Sequence, residues 1–170
     1  GDPAKSIGTI LFVHGSSMAS QPTSDLQVPD RPDSSAMDHF ARRGYDCWCV
    51  DMEGYGRSTK DRDNNAPISQ GADDCYAAAL YIQKLRSKRP FLVYGISSGA
   101  LRAAMFAERH PELLARLALD AMVWTGEGSP TLEQRVRSFP NSSRRTAGQS
   151  TRPLSIRSSS AITPAPPTKR

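Results

Sequence analysis

Four short runs of apolar residues are spaced along the first 120 positions of the chain. They extend from Ile7 to Val13, Tyr45 to Val50, Phe91 to Tyr94 and Leu113 to Leu119. Each run is too short for a helix of ordinary length, and each is followed by His, Asp or Gly. Short runs that are apolar on both faces are typical of buried strands in a parallel sheet.

Segments with helical spacing lie between these runs. The segment from Ser35 to Arg43 is short and amphipathic, and apolar residues recur near the helical period from Ala72 to Lys88. The stretch from Ala100 to Arg109 is rich in good helix formers and stops before Pro111. Strand and helix therefore alternate from residue 7 to about 124. This alternation predicts an α/β fold, a mostly parallel sheet with flanking helices.

The last 35 residues break this pattern and divide the chain into two parts. Residues 136–170 hold eight Ser, five Pro and seven basic residues, with no Asp or Glu. Residues 1–135 therefore carry 15 basic and 17 acidic residues, a net charge of −2, although the whole chain has a formal charge of +5. We expect one folded domain over 1–135 and a disordered, basic tail over 136–170.

Composition excludes several classes of protein. No apolar run approaches the roughly 20 residues of a membrane span, so we expect no membrane segment. The tail offers only Phe139 as an aromatic partner for its charges, which argues against a nucleic-acid partner. Cys47, Cys49 and Cys75 lack metal-site or disulfide spacing, and we expect free, buried thiols, no metal and no cofactor. With no signal pattern in residues 1–6, these thiols favour a cytoplasmic location.

The strongest chemical signal is Gly95-Ile96-Ser97-Ser98-Gly99, a G-x-S-x-G pattern. A predicted strand precedes it and a predicted helix follows at once. A sharp strand-to-helix turn would lift the Ser97 hydroxyl above the sheet edge, and the small residues at 95 and 99 would permit close approach of the chains. The N-terminus of the helix would add partial positive charge for an anionic intermediate.

Two further loops leave the first and second predicted strands. After His14-Gly15, the backbone N–H of Ser16 can stabilise negative charge on a reacting carbonyl oxygen, with the N–H of Ser98 as a second donor. We interpret His14 as a residue that organises this loop, not as a base. The segment from Asp51 to Ser58 resembles a phosphate loop only loosely, because Thr59 stands where the third glycine would fall. We interpret it as structural.

Together these segments resemble a known family. LFVHGSS, VDMEGYGRS, LVYGISSGA and ERHPELLARLALDA are similar, in order and spacing, to the serine-nucleophile branch of the α/β-hydrolase fold superfamily over about residues 7–125. The resemblance implies Ser97 as the nucleophile and the amides of Ser16 and Ser98 as the oxyanion hole. It also implies an esterase- or lipase-like activity on small-molecule esters, through an acyl-enzyme and without a cofactor.

The chain departs from the family at the catalytic base. The family order is Ser, then Asp or Glu, then His. His110 is the only histidine after Ser97, and it follows a predicted helix, where we expect it to cap that helix; His39 lies upstream. Asp120 ends the fourth run and is a candidate for the acid, or equally a strand-end Asp that bonds loop amides. We find no catalytic His.

We therefore expect an incomplete and inactive hydrolase. The alternative is a non-catalytic remnant or binding module that uses the same crevice. The tail suggests how the chain became incomplete: shifted by one base, and with a suitable choice of third bases, its codons can encode a string with apolar and acidic residues. Our hypothesis is a one-nucleotide frameshift between about Glu133 and Ser138, with a natively disordered tail as the alternative.

Overall fold

The computed structural model describes residues 5–60, 66–86, 88–122 and 156–159, together with positions 128, 130 and 134. Its elements are, in chain order, β1 (Gly8–Val13), α1 (Ser20–Ser24), α2 (Ala36–Ala41), β2 (Tyr45–Val50), α3 (Ile68–Leu85), β3 (Phe91–Ile96), α4 (Ser98–Arg109), a 3-10 turn (Pro111–Leu113), β4 (Leu114–Asp120) and β5 (Ile156–Ser159). The four predicted strands and three predicted helices are all present. The five-residue helix α1 was not predicted.

The strands form one sheet in the order β4-β3-β1-β2-β5. β1 pairs in parallel with β2 and β3, and β3 pairs in parallel with β4, whereas β5 is antiparallel to β2. In this register Val13 lies beside Gly95, and Ile96 lies beside Asp120. The carboxyl ends of β1, β3 and β4 therefore meet at one edge, and the predicted α/β architecture is confirmed.

Side chains that alternate along the strands build a core on each face of the sheet. Leu11, Val13, Trp48, Val50, Phe91 and Val93 pack against α3 and α4, which contribute Ala72, Cys75, Ala78, Ala79, Ile82, Ala103 and Phe106. The opposite face is smaller and holds Ile10, Phe12, Cys47 and Cys49 beneath Met37 of α2. Because both faces of the central strands are buried, these strands read as continuous apolar runs in the sequence.

β4 differs from its prediction as a buried strand. Leu114 is half-buried, but every residue from Ala115 to Asp120 is exposed. The reason is its position at the end of the sheet: β3 covers one edge, and no described strand pairs with the other. An apolar sequence alone does not distinguish a central strand from an edge strand, because that difference depends on the neighbours of the strand.

β5 belongs to the segment predicted to be a disordered tail. Ile156–Ser159 pair with β2, from Val50 beside Ile156 to Cys47 beside Ser159. These four residues are therefore ordered as a strand, which the composition of the segment did not indicate. The rest of 136–170 lies outside the described residues, as does the proposed frameshift boundary apart from Gln134.

All three cysteines are free and buried, as predicted. Burial is the main cause that raises the pKa of Cys47 to about 12, and it also raises the pKa of Cys75. Neither thiol is therefore ionised near neutral pH, and both behave as small apolar side chains.

Candidate active site

The turn between β3 and α4 presents Ser97 at the carboxyl edge of the sheet. Ser97 has φ 57° and ψ −125°, a conformation that L-residues rarely adopt, and its side chain is exposed. Its backbone N–H donates to the carbonyl of Asp120 at 2.9 Å, and its own carbonyl accepts from the N–H of Ala100 at 3.0 Å. These bonds at both ends of the residue fix the turn to β4 and to the first turn of α4.

The two glycines of the motif make this turn possible by close packing. A methyl group at Gly95 would lie 2.5 Å from the carbonyl oxygen of Gly99. A methyl group at Gly99 would lie 2.3 Å from the carbonyl oxygen of Val13 and 2.4 Å from that of His14. Since these neighbours are backbone atoms, side-chain rotation cannot relieve the overlap. The glycines let α4 start directly behind the ends of β1 and β3.

The loop after β1 borders Ser97. An added methyl group on Gly15 would lie 3.1 Å from Ser97 Cβ and 3.5 Å from Ser97 Oγ. Ser16, the next residue, is exposed at the same edge. Ser98 is the first residue of α4, so its backbone N–H has no acceptor within the helix. The structure thus places Ser97, the start of α4 at Ser98 and the Gly15 backbone at one edge of the sheet, with Ser16 next along the same loop.

His14 is buried inside this loop and bonds only to backbone. The Met52 N–H donates to its Nε2 at 3.0 Å, so the other ring nitrogen, Nδ1, donates to the carbonyl of Gly15 at 2.6 Å. Burial is the main cause that lowers the pKa of His14 below its ordinary 6.5. A neutral ring with both nitrogens engaged cannot accept a proton from Ser97. The interpretation of His14 as a residue that organises the loop is confirmed.

The loop after β2 is folded around a carboxylate. Asp51 accepts from the N–H and the hydroxyl of Ser20, at 2.8 and 2.6 Å, and from the N–H of Arg57 at 2.9 Å. Burial alone would raise the pKa of Asp51, but these hydrogen bonds outweigh it and the pKa falls below 3.8. A methyl group on Gly56 would overlap the same carboxylate. The loop is structural, as predicted.

Asp120 reaches the site through its backbone, while its carboxylate is engaged elsewhere. Asp120 Oδ2 accepts a 2.5 Å hydrogen bond from the hydroxyl of Tyr94. Burial, followed by this bond and the charge of Asp120, raises the pKa of Tyr94 to about 12. Tyr94 was not predicted as a partner, because an aromatic residue directly before Gly95 is indistinguishable in the sequence from an ordinary core residue.

The two remaining histidines lie away from Ser97. His110 caps the C-terminus of α4, where its N–H donates to the carbonyl of Phe106 at 2.9 Å and its ring stacks on Tyr76 at 3.9 Å. α4 has 12 residues, so about 18 Å of helix separates this ring from Ser97 at the other end. His39 is exposed on α2, in edge contact with Phe40. Neither ring belongs to the site.

A buried arginine beneath the site was also missed. Arg102 of α4 is 2% exposed, and its Nη1 donates to the carbonyl of His14 at 3.3 Å. Its guanidinium lies 5.6 Å from the centre of the Tyr55 ring, and a methyl group on Gly71 would overlap its side chain. Arg102 therefore supports the loop after β1 from below. The sequence predicts only a helix for the stretch that contains Arg102, and nothing local in it indicates that the guanidinium is buried.

The described residues contain neither a metal-binding cluster nor a membrane-spanning helix. No group of three His, Cys, Asp or Glu side chains is arranged there as metal ligands. No helix in the same part of the chain is long and apolar enough to cross a membrane.

A mostly parallel sheet with a serine at a glycine-flanked strand-to-helix turn is typical of one class of α/β protein. The sequence matches the alpha/beta hydrolase fold family over residues 8–162, and the chain belongs to that family. A comparison with curated proteins finds no match.

Solved structures show the same fold at low sequence identity. A carboxyl esterase from Bacillus coagulans is 17% identical with a TM-score of 0.56, over 80% of this chain and 42% of that one. A lipase-esterase related protein from Clostridium acetobutylicum is 17% identical with a TM-score of 0.54, over 81% and 51%. The thioesterase domain from the curacin biosynthetic pathway is 21% identical with a TM-score of 0.54, over 85% and 46%. The chain spans about half the length of these structures.

Proposed function

We propose that this chain carries the nucleophile and oxyanion hole of a serine hydrolase for small-molecule carboxylic esters. The observation that supports this most directly is the conformation of Ser97, an exposed residue held at a strained turn. Strain of this kind, about 1–3 kcal/mol, persists only where the surrounding structure enforces it, and it is common at functional sites. Ser97 Oγ would attack the ester carbonyl, the C–O bond to the alcohol would break, and the alcohol would leave with the proton of the hydroxyl. Water would then hydrolyse the acyl-enzyme and release the carboxylic acid.

The negative charge that develops on the carbonyl oxygen would be stabilised from two sides. The N–H of Ser98 begins α4, where the helix dipole adds partial positive charge. The N–H of Ser16 follows Gly15, whose backbone lies against Ser97. Removing one donor of this type typically lowers kcat by roughly 10²–10³-fold.

We propose that Ser97 has no base in this chain, so that hydrolysis is very slow. The sequence contains three histidines, and each has a place in the fold that excludes it from this role. His14 uses both ring nitrogens on backbone, His110 lies at the far end of α4, and His39 lies on α2. An unassisted serine hydroxyl is a poor nucleophile. Asp120 would remain the acid candidate, with no imidazole for it to orient.

Chemical rescue tests this proposal. The folded chain is treated with a fluorophosphonate, with and without added imidazole, and covalent adducts are located by peptide mass spectrometry. We expect an adduct on Ser97 that forms slowly alone and much faster with imidazole, because soluble imidazole supplies the missing base. The adduct should be lost in Ser97→Ala and kept in Ser17→Ala, a matched change at an exposed hydroxyl after the oxyanion loop.

Two outcomes would contradict it. An adduct that survives Ser97→Ala would place the reactive group elsewhere. Folded protein that forms no adduct even with imidazole would favour the alternative function, a non-catalytic remnant or binding module in the same crevice.

We further propose the division of the chain into a hydrolase part over 1–135 and a separate tail over 136–170. Support comes from the charge, −2 for the first part and +7 for the second. Sequencing the gene downstream of the Glu133 codon tests the frameshift hypothesis. We expect an open reading frame one base away that continues in the composition of a folded hydrolase, and its absence would leave a natively basic tail.

A further inference from the structure

No strand among the described residues pairs with the outer edge of β4, which carries apolar and charged side chains. Leu117, at the middle of β4, and Leu119, next to its last residue, are each 39% exposed. Arg116 and Asp120 carry opposite charges four residues apart, and no described carboxylate lies within ion-pair distance of Arg116. Edges with this composition, free of Pro and Lys, are templates for pairing with another strand.

One hydrogen bond tells which residues of β4 direct their backbone outward. The carbonyl of Asp120 accepts from Ser97, on the side of β3. The N–H and C=O groups of one strand residue point to the same side, and the side alternates along the strand. Arg116, Ala118 and Asp120 therefore bond inward, whereas Ala115, Leu117 and Leu119 offer their N–H and C=O groups to the free edge.

This alternation restricts how a second β4 can pair in antiparallel fashion around a two-fold axis. Outward residues must face outward residues, so the axis can pass through Leu117, Ala118 or Leu119. With the axis at Leu117, Arg116 faces Ala118 of the other copy, and with the axis at Leu119, Asp120 faces Ala118. With the axis at Ala118, Arg116 faces Asp120 twice, and Leu117 faces Leu119 twice.

We propose that this chain forms a homodimer in which two β4 strands pair antiparallel about Ala118. The two sheets then join into one, and the unpaired backbone groups of Leu117 and Leu119 bond those of the second copy. Opposite charges and apolar pairs that face each other across strands stabilise this register over the other two. The inference rests on the β4 edge alone and holds whether or not Ser97 reacts.

Charge reversal tests the register. Sedimentation velocity over a range of concentrations measures the dimer dissociation constant of the chain, of Arg116→Asp, of Asp120→Arg and of the double variant. Each single change puts like charges face to face at two symmetric places. We therefore expect each to raise the dimer dissociation constant by roughly tenfold or more. The double variant exchanges the charges and should return to within about threefold of the original constant. Circular dichroism confirms that each variant is folded.

A cysteine cross-link tests the same register without disturbing Asp120, which bonds Tyr94. Residues at the two-fold axis form a non-hydrogen-bonded pair with Cα atoms about 4.5 Å apart, within the range for a disulfide. We expect Ala118→Cys to cross-link into a covalent dimer under mild oxidation. Leu80→Cys, an exposed position on α3, is the control and should remain monomeric, since the three native cysteines are buried.

The proposal is wrong if the chain stays monomeric at all concentrations and Ala118→Cys cross-links no faster than Leu80→Cys. That result would assign the β4 edge to another segment of the chain or to another protein. A dimer that is insensitive to both charge reversals, or that the double variant does not restore, would also overturn the register.

Discussion

His14 joins two loops of the candidate site through one buried ring. It holds the carbonyl of Gly15 beside Ser97 and the N–H of Met52 after β2, while its own carbonyl accepts from Arg102. Because burial lowers its pKa in the folded state, protonation of this ring opposes folding. The residue therefore couples the stability of the loops to pH.

We expect the free energy of unfolding to fall as pH decreases from 6.5. The unfolded chain binds a proton at the ordinary pKa of 6.5 and the folded chain only at a lower pKa, so stability is full above pH 6.5 and is lost as pH falls toward the folded value. Urea denaturation from pH 8 to pH 5 measures the change. A pH dependence that persists in full in a variant without His14 would contradict this assignment.

At neutral pH, His14→Ala should destabilise the fold by about 3 kcal/mol. The change leaves the buried N–H of Met52 without its acceptor and opens a cavity next to Tyr55. The variant should also have a flatter pH dependence below 6.5. A variant as stable as the original chain in urea would show that the two loops do not depend on this ring.

At the scale of elements, the first turn of α4 packs directly on the end of β1. Gly99 has no room for a side chain, because the carbonyls of Val13 and His14 lie where a methyl group would stand. Gly8, at the other end of the same strand, has ordinary contacts of 3.5 Å or more around the same position. Close packing therefore requires a glycine at position 99 but not at position 8, and Gly8 serves as the control for Gly99.

We expect Gly99→Ala to lower the free energy of unfolding by more than about 3 kcal/mol, since backbone must move to admit the methyl group. Gly8→Ala should change it by less than about 1 kcal/mol. Thermal and urea denaturation of the two variants measure the difference. Equal effects of the two changes would contradict the close approach of α4 to β1.

The parts of the fold that were predictable are those encoded locally. The pattern of glycines and serine in residues 95–99 predicts the strand-to-helix turn, because the turn depends on the size and backbone conformation of these residues themselves and not on distant partners. The partners of His14 and Asp120 were not predictable, since Met52 is 38 positions from His14 and Tyr94 is 26 positions from Asp120. Likewise β4 looked buried and β5 looked unstructured, because their states depend on which strands become their neighbours.

At the scale of the whole molecule, β5 is the last strand on one side of the sheet, and it comes from a part of the chain far from β2 in sequence. Ile156–Ser159 pair with Cys47–Val50, the last four residues of β2. The opposite side ends at β4, whose edge no described strand covers. The two sides of the sheet therefore differ in how they depend on the last residues of the chain.

Two truncations isolate this contribution. A stop after Ser155 removes β5, and a stop after Ser159 keeps it. We expect hydrogen exchange of the amides in Tyr45–Val50 to accelerate in the shorter variant, because the β2 edge loses its partner, and to stay unchanged in the longer one. Unchanged protection after removal of Ile156–Ser159 would mean that β5 adds nothing to the stability of β2.

The positive φ of Ser97 has a consequence for selection as well as for chemistry. The backbone energy of this turn opposes folding whether or not a substrate is ever hydrolysed, so any member of the family that loses its catalytic base would bear the cost and gain no rate from it. Ser97→Gly should therefore stabilise the protein by about 1 kcal/mol, while Ser97→Ala, which keeps the strain, should not. Homologues freed from catalytic selection are expected to drift toward glycine here, and a serine retained at this position marks lineages in which the hydroxyl is still used.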